Sequence, residues 1–136
     1  MIEKAIKNLL NEQVKGLLWS ANYKTQNDNY GVVYYEGGDP INVNDETKAE
    51  RLNYQVEINS SDFDKAKFKA HQVYTLLHGL SNQVYTAAYN DNGDEIEVKH
   101  RLHFMAAETP PLRIGVIDDK MIYTINFVAN VTPFCK

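Results

Sequence analysis

Residues that build covalent or metal-held frameworks are scarce in this chain. Of its 136 residues one is a cysteine, Cys135. A single thiol cannot close an internal disulfide, and a place beside the C-terminus is a poor one for a nucleophile. The simplest compartment for such a chain is a reducing cytoplasm. No apolar run approaches the ~20 residues of a membrane span. Met1-Ile2-Glu3-Lys4 opens an amphipathic helix and not a basic-then-apolar leader. Basic clusters are missing as well. The formal charge is −4 with acids and bases interleaved, and Lys65, Lys67 and Lys69 follow directly on Asp62 and Asp64. Non-specific DNA binding draws its energy from clustered Lys and Arg, so direct nucleic-acid binding is not expected. No Gly-x-Ser-x-Gly elbow, phosphate loop or dinucleotide fingerprint is present.

What remains is a chain of single-domain length, residues 1–136. A chain this long buries roughly two-thirds of its unfolded surface and folds without staples. Ile2, Ala5, Ile6, Leu9 and Leu10 recur at helical spacing, with Gly16 as a stop. Leu17, Leu18 and Trp19 form a short apolar patch. Tyr30 to Tyr35 is a β-rich run that Gly37-Gly38-Asp39-Pro40 should end. Residues 37–50 then read as a long polar loop, and loops of that length are often functional. Leu52, Tyr54, Val56 and Ile58 alternate with polar residues, the pattern of a half-buried strand.

A second helix is expected over Ser61 to Leu80, capped by Ser60 or Ser61, with Phe63, Ala66, Ala70, Val73, Leu77 and Leu80 as its apolar stripe. Two hairpins follow. The first turns at Asn90-Asp91-Asn92-Gly93, and Asn-Gly between strands is a strong hairpin signal. In its second arm Ile96, Val98, Leu102 and Phe104 should face one side, and Glu97, Lys99, Arg101 and His103 the other. The second runs from Pro110-Pro111 through Ile117-Asp118-Asp119-Lys120 into a strand from Met121 to Val131. The order helix, strand, strand, helix, hairpin, hairpin predicts an α+β fold: an antiparallel or mixed sheet with two helices packed on one face.

Chemistry-bearing groups do not converge on paper. His71 and His78 stand about two turns, ~10 Å, apart on one helix, too far to share an ion. His100 and His103 leave opposite faces of a strand. Asp91 to Glu95 resembles a calcium loop, but Ala88 holds the place where the first ligand should be. Asp39, Asp45, Glu46 and Glu50 sit in a polar stretch that offers no burial to shift a carboxylate. No catalytic group, cofactor or metal is expected. Tyrosine is the unusual component: there are nine, mostly in strand segments. Such rings serve a sheet core, or a partner surface that is dry at one end and wet at the other.

Several of these pieces together resemble a known group. They are the helix Ile2 to Val14, the strand Leu52 to Ile58, the helix Ser61 to Leu80, the turn Pro110-Pro111-Leu112-Arg113-Ile114-Gly115 and the strand Tyr123-Thr124-Ile125-Asn126-Phe127. In that order they resemble the tail terminator and minor capsid (neck) proteins of long-tailed bacteriophages. Such proteins usually carry an Asp-Glu-x-Gly turn before the last strand, where this chain has Asp118-Asp119-Lys120. The resemblance implies a structural virion protein, not an enzyme, with a tail-terminator-like fold. It implies a homo-oligomeric ring of six at the end of the tail tube. The ring would meet the tail tube protein on one side and the head–tail connector protein on the other, and DNA would pass through its lumen without specific binding. It implies assembly in the host bacterial cytoplasm and no membrane. Another neck position, a small α+β hydrolase and a protein-binding adaptor are the alternatives.

Candidate contact residues follow from exposure and charge. Tyr34 and Tyr35 lie on a strand, Asp39, Asp45 and Glu46 on the polar loop, and Asp91 and Asp94 about the first hairpin turn. Arg113 follows the proline turn, where it can reach an acid on a neighbouring subunit or pair with Asp118 or Asp119 of its own chain.

Overall fold

The computed structural model describes residues 2–41 and 48–135. In chain order the elements are α1 (Ile2–Gln13), β1 (Leu18–Ala21), β2 (Tyr30–Pro40), β3 (Glu50–Ser60), α2 (Phe63–Leu77), β4 (Ser81–Asp91), β5 (Asp94–Ala107), β6 (Leu112–Ile117) and β7 (Lys120–Cys135). Strands make up 56% of the chain and helices 21%, and the seven strands form one curled half-barrel. The expected α+β arrangement, a sheet with two helices laid on one face, is therefore overturned. The excess of strand comes from stretches that sequence reading left as loop or patch.

Two of those stretches have clear physical causes. Leu18–Ala21, read as an apolar patch, is β1, and it pairs parallel with Tyr30–Val33 of β2. Asn22 and Asn29 take positive φ values of 65° and 52° at the two ends of the connection, which lets so short a crossover turn back on itself. The second stretch is Gly37 to Pro40, expected to end β2. Instead β2 absorbs an extra residue as a bulge between Tyr35 and Gly38 and runs on, pairing Gly38 with Leu52 and Pro40 with Glu50. The polar loop thus shrinks from both sides. Its Asp45 and Glu46 lie outside the described residues.

The long strand β7 organises the sheet. One of its edges is lined along nearly its whole length by β3, from Ser60↔Met121 to Glu50↔Val131. Its other edge is shared: β6 takes Lys120–Thr124 and β5 takes Phe127–Cys135. The full path is β1-β2-β3-β7-β5-β4, with β6 attached to β7 alone. Alternation puts Leu52, Tyr54, Val56 and Ile58 of β3 beside Ile125, Phe127, Ala129 and Val131 of β7 on the inner face. Polar pairs such as Gln55 Nε2 to Asn126 Oδ1, 3.1 Å, sit on the outer face.

Helical periodicity supplies the filling of the curl. α1 buries Ile2, Ile6 and Leu10, and α2 buries Ala66, Ala70, Val73 and Leu77. α1 leans on β1 and β2, while α2 leans on β7, β3 and β5. Their side chains join those of the strands in one core cluster. Phe63, expected in the stripe of α2, is exposed, and Leu80 lies beyond the helix end. The N-cap is Asp62, whose carboxylate accepts from the Lys65 N–H at 3.1 Å, and neither expected serine takes that role. Those serines bind elsewhere. Ser60 Oγ donates to Asn29 Oδ1 at 2.7 Å, and the Ser61 N–H and Oγ both donate to Asp28, at 2.8 and 2.7 Å. The Ser61 side chain first, then its backbone N–H, holds the Asp28 carboxyl below the usual carboxylate range. The connection between β1 and β2 is thereby tied to the start of α2.

Both predicted hairpin turns form. Asn92 and Gly93 have φ of 51° and 93°, and Asp118 and Asp119 have φ of 52° and 63°. Two consecutive positive φ values mark a type I′ turn, which Asn-Gly fits and Asp-Asp strains. The double change Asp118→Asn with Asp119→Gly should therefore raise the unfolding free energy by about 1 kcal/mol. Urea denaturation checks it; a fall in stability would contradict the turn geometry.

Candidate functional site

The residues singled out from sequence do not gather in one place. Tyr34, Tyr35 and Asp39 lie along β2, Asp91 and Asp94 flank the β4–β5 turn, and Arg113 lies on β6. Tyr35 is exposed, and its ring leans on Tyr54 with centroids 5.7 Å apart. Tyr34 is half-buried, and that burial raises its phenol above the ordinary value. Among the described residues no ion pair joins Arg113 to Asp118 or Asp119. Tyr35 also lines an open cavity of about 340 Å³ with Glu3, Glu50 and His100.

The histidines are likewise dispersed, and His71, His78 and His103 each have a local partner. His78 caps α2 at its C-terminal end, stacks on Tyr74 with centroids 5.2 Å apart, and accepts the Ala107 N–H on Nδ1 at 3.0 Å. His103 lies 2.7 Å from the Thr132 hydroxyl. Among the described residues no three metal-ligating side chains converge.

A larger feature lies where sequence reading gave no signal. Between α1 and β4 runs an open groove of about 610 Å³. One wall is helical: Ile2, Lys4, Ala5, Asn8, Leu9 and Glu12. The other wall is residues 84–89 of β4, and His100 of β5 also lines it. Ala5 and Leu9 are half-buried there, while Val84 and Tyr89 are exposed. Burial holds the His100 imidazole below its usual pKa, with Glu50 and Glu3 pulling weakly the other way. A histidine depressed in the folded state favours folding fully above the unfolded value of about 6.5. That contribution is lost as pH falls through the lower folded value. The melting temperature of the wild type should accordingly drop between pH 7 and 5, and His100→Gln should flatten part of that slope. An identical slope in the variant would remove His100 from the groove's electrostatics.

The β4 wall is an unpaired strand edge. Among the described residues β4 pairs with β5 only. Counting back from the two-residue turn, Asp91, Tyr89, Ala87 and Tyr85 exchange hydrogen bonds with β5. Asn90, Ala88, Thr86 and Val84 then turn their N–H and C=O groups outward, and none of these has a backbone partner among the described residues. Edge strands are normally protected by charge or proline. From Ser81 to Asn90, β4 carries neither.

β6 presents a second free edge of different character. Among the described residues it pairs with β7 alone, and Leu112, Ile114, Val116 and Ile117 are 42–54% exposed. Arg113 is its single charged residue. The proline turn and the Tyr123–Phe127 segment of β7 are thus hydrogen-bonded neighbours, with Arg113 opposite Tyr123. Compared with known proteins, the chain matches no protein-family model and no curated protein sequence.

Proposed function

We propose that this chain is a structural assembly subunit of a long-tailed phage neck, the tail terminator that closes the tail tube. One observation carries the reading: among the described residues, besides the four-residue β1 at the other end of the sheet, each subunit has two unlike free strand edges, β4 and β6, both almost free of charge. Two different patches on one chain that complement each other generate head-to-tail contacts, and these close into a ring when the rotation fits. The motif-bearing hairpin of β6 and β7 adds the resemblance to the neck proteins. Shape and edge chemistry carry the role, with no substrate turned over. The ring has six subunits, one face seated on the tail tube protein and the other on the head–tail connector. The net charge of −4 keeps DNA from sticking as it slides through.

Sedimentation and electron microscopy of the purified protein test this. A concentration-dependent closed species of six subunits is expected, one that stops elongation of tail tubes when added to tube protein. A monomer at high concentration, or rings that leave tube growth unaffected, would sink the reading.

A further inference from the structure

The groove between α1 and β4 has the two walls of a strand-addition site. One wall is a free β edge offering alternating donors and acceptors, and the other is a helix offering an apolar surface. An extended segment fits such a site because its backbone completes the ladder while every second side chain enters the groove. We infer that the occupant is β6 of the neighbouring copy. This rests on the ring reading and specifies its contact.

Three properties of β6 match the groove. It is already extended, so docking costs little ordering entropy. Its exposed Leu112 and Ile114 provide apolar side chains for the wall formed by Ala5, Leu9 and Val84, while a bulge between Arg113 and Gly115 turns Val116 to the other face. Its charges also run in the same order as those of the helix, positive before negative, so the two complement each other when antiparallel. Along α1 the groove-lining charges are Lys4 and then Glu12. Along β6 and its turn they are Arg113 and then Asp118 and Asp119. A β6 strand running antiparallel to α1 sets Arg113 beside Glu12 and the two aspartates beside Lys4. The spans agree: eight helical residues cover about 12 Å, and five extended residues cover about 17 Å. The difference lies within the reach of Lys, Arg and Glu side chains.

The experiment uses the full chain with a charge swap and a peptide. Arg113→Glu should weaken assembly at least tenfold, and adding Glu12→Arg to the same chain should restore most of it. A peptide of residues 110–117, labelled for anisotropy, should bind the Arg113→Glu chain and compete with wild-type assembly. Replacing Thr86 with proline blocks the free edge and should abolish peptide binding, with circular dichroism verifying that the chain is folded. If rings form but the swap does not rescue and the peptide does not bind, the pairing proposed here is wrong while the ring stands. If no oligomer forms and the peptide does not bind, both fail. Peptide binding that survives Thr86→Pro would place the strand elsewhere and overturn the inference.

Discussion

Replacing Met105 with alanine should lower the unfolding free energy by roughly 2–5 kcal/mol, whereas Phe104→Ala should change it by less than about 0.5 kcal/mol. Period-two alternation from Leu102 gives the reverse expectation, with Phe104 inside. The difference is one residue. β5 pairs Leu102 with Val131 and Phe104 with Asn130, so His103 is an extra residue opposite no partner. A bulge of this kind exchanges the faces of every residue beyond it. Met105 is consequently fully buried in the core, and Phe104 is 46% exposed. Deleting His103 would remove the bulge yet leave Phe104 opposite Asn130 and Met105 opposite Ala129, so both would keep their faces. Chemical denaturation of the two alanine variants decides the matter, and a larger loss for Phe104→Ala would mean that no bulge exists.

The second large effect centres on Trp19 and Gly31, which face each other across the parallel pair of β1 and β2. The indole is 5% exposed and donates from Nε1 to the Val14 carbonyl at 3.0 Å. Its six-membered ring lies against Gly31, where a Cβ would overlap it. The glycine is required here for lack of bulk, since its backbone is ordinary. Gly31→Ala should cost about 1–3 kcal/mol by overpacking. Trp19→Ala should cost roughly 3–5 kcal/mol through the cavity it leaves. In the Trp19→Ala background, however, Gly31→Ala should cost almost nothing, because the ring it would strike is gone. A double-mutant cycle reads that coupling directly. Equal costs in both backgrounds would show that the two residues do not touch.

The same contact explains why β1 escaped sequence reading. Leu17, Leu18 and Trp19 carry a hydrophobic signal, but four residues are too few to show a period. The strand exists because Gly31 leaves room for Trp19 and two asparagines accept positive φ, which are features of separate segments. The extension of β2 through Gly37-Gly38-Asp39-Pro40 has a similar origin. Turn-forming residues normally break a strand, and here β3 supplies partners that a local reading cannot see. Added together, such extensions convert an expected helix-backed sheet into a half-barrel.

Burial of tyrosine was anticipated in part. Tyr54 is enclosed in the core, and Tyr30 is buried with its hydroxyl donating to Glu57 at 3.0 Å. Burial first, reinforced by nearby acids, pushes both phenols well above their ordinary range. Tyr35, by contrast, remains on the surface, as its candidate role requires.

By its own pattern the sequence determined α1, the apolar face of α2, the alternation of β3 and both hairpin turns. These rest on neighbours within a few positions: helical spacing, period-two alternation, and the tolerance of Asn, Gly and Asp for positive φ. Only the tertiary structure decided the curl of the sheet, the three bulges, the parallel β1 and the groove between α1 and β4. A free strand edge is defined by which strand fails to arrive beside it, and a groove by two elements about eighty residues apart in the chain. Local chemistry cannot encode either, because both depend on how β7 divides its second edge between β5 and β6.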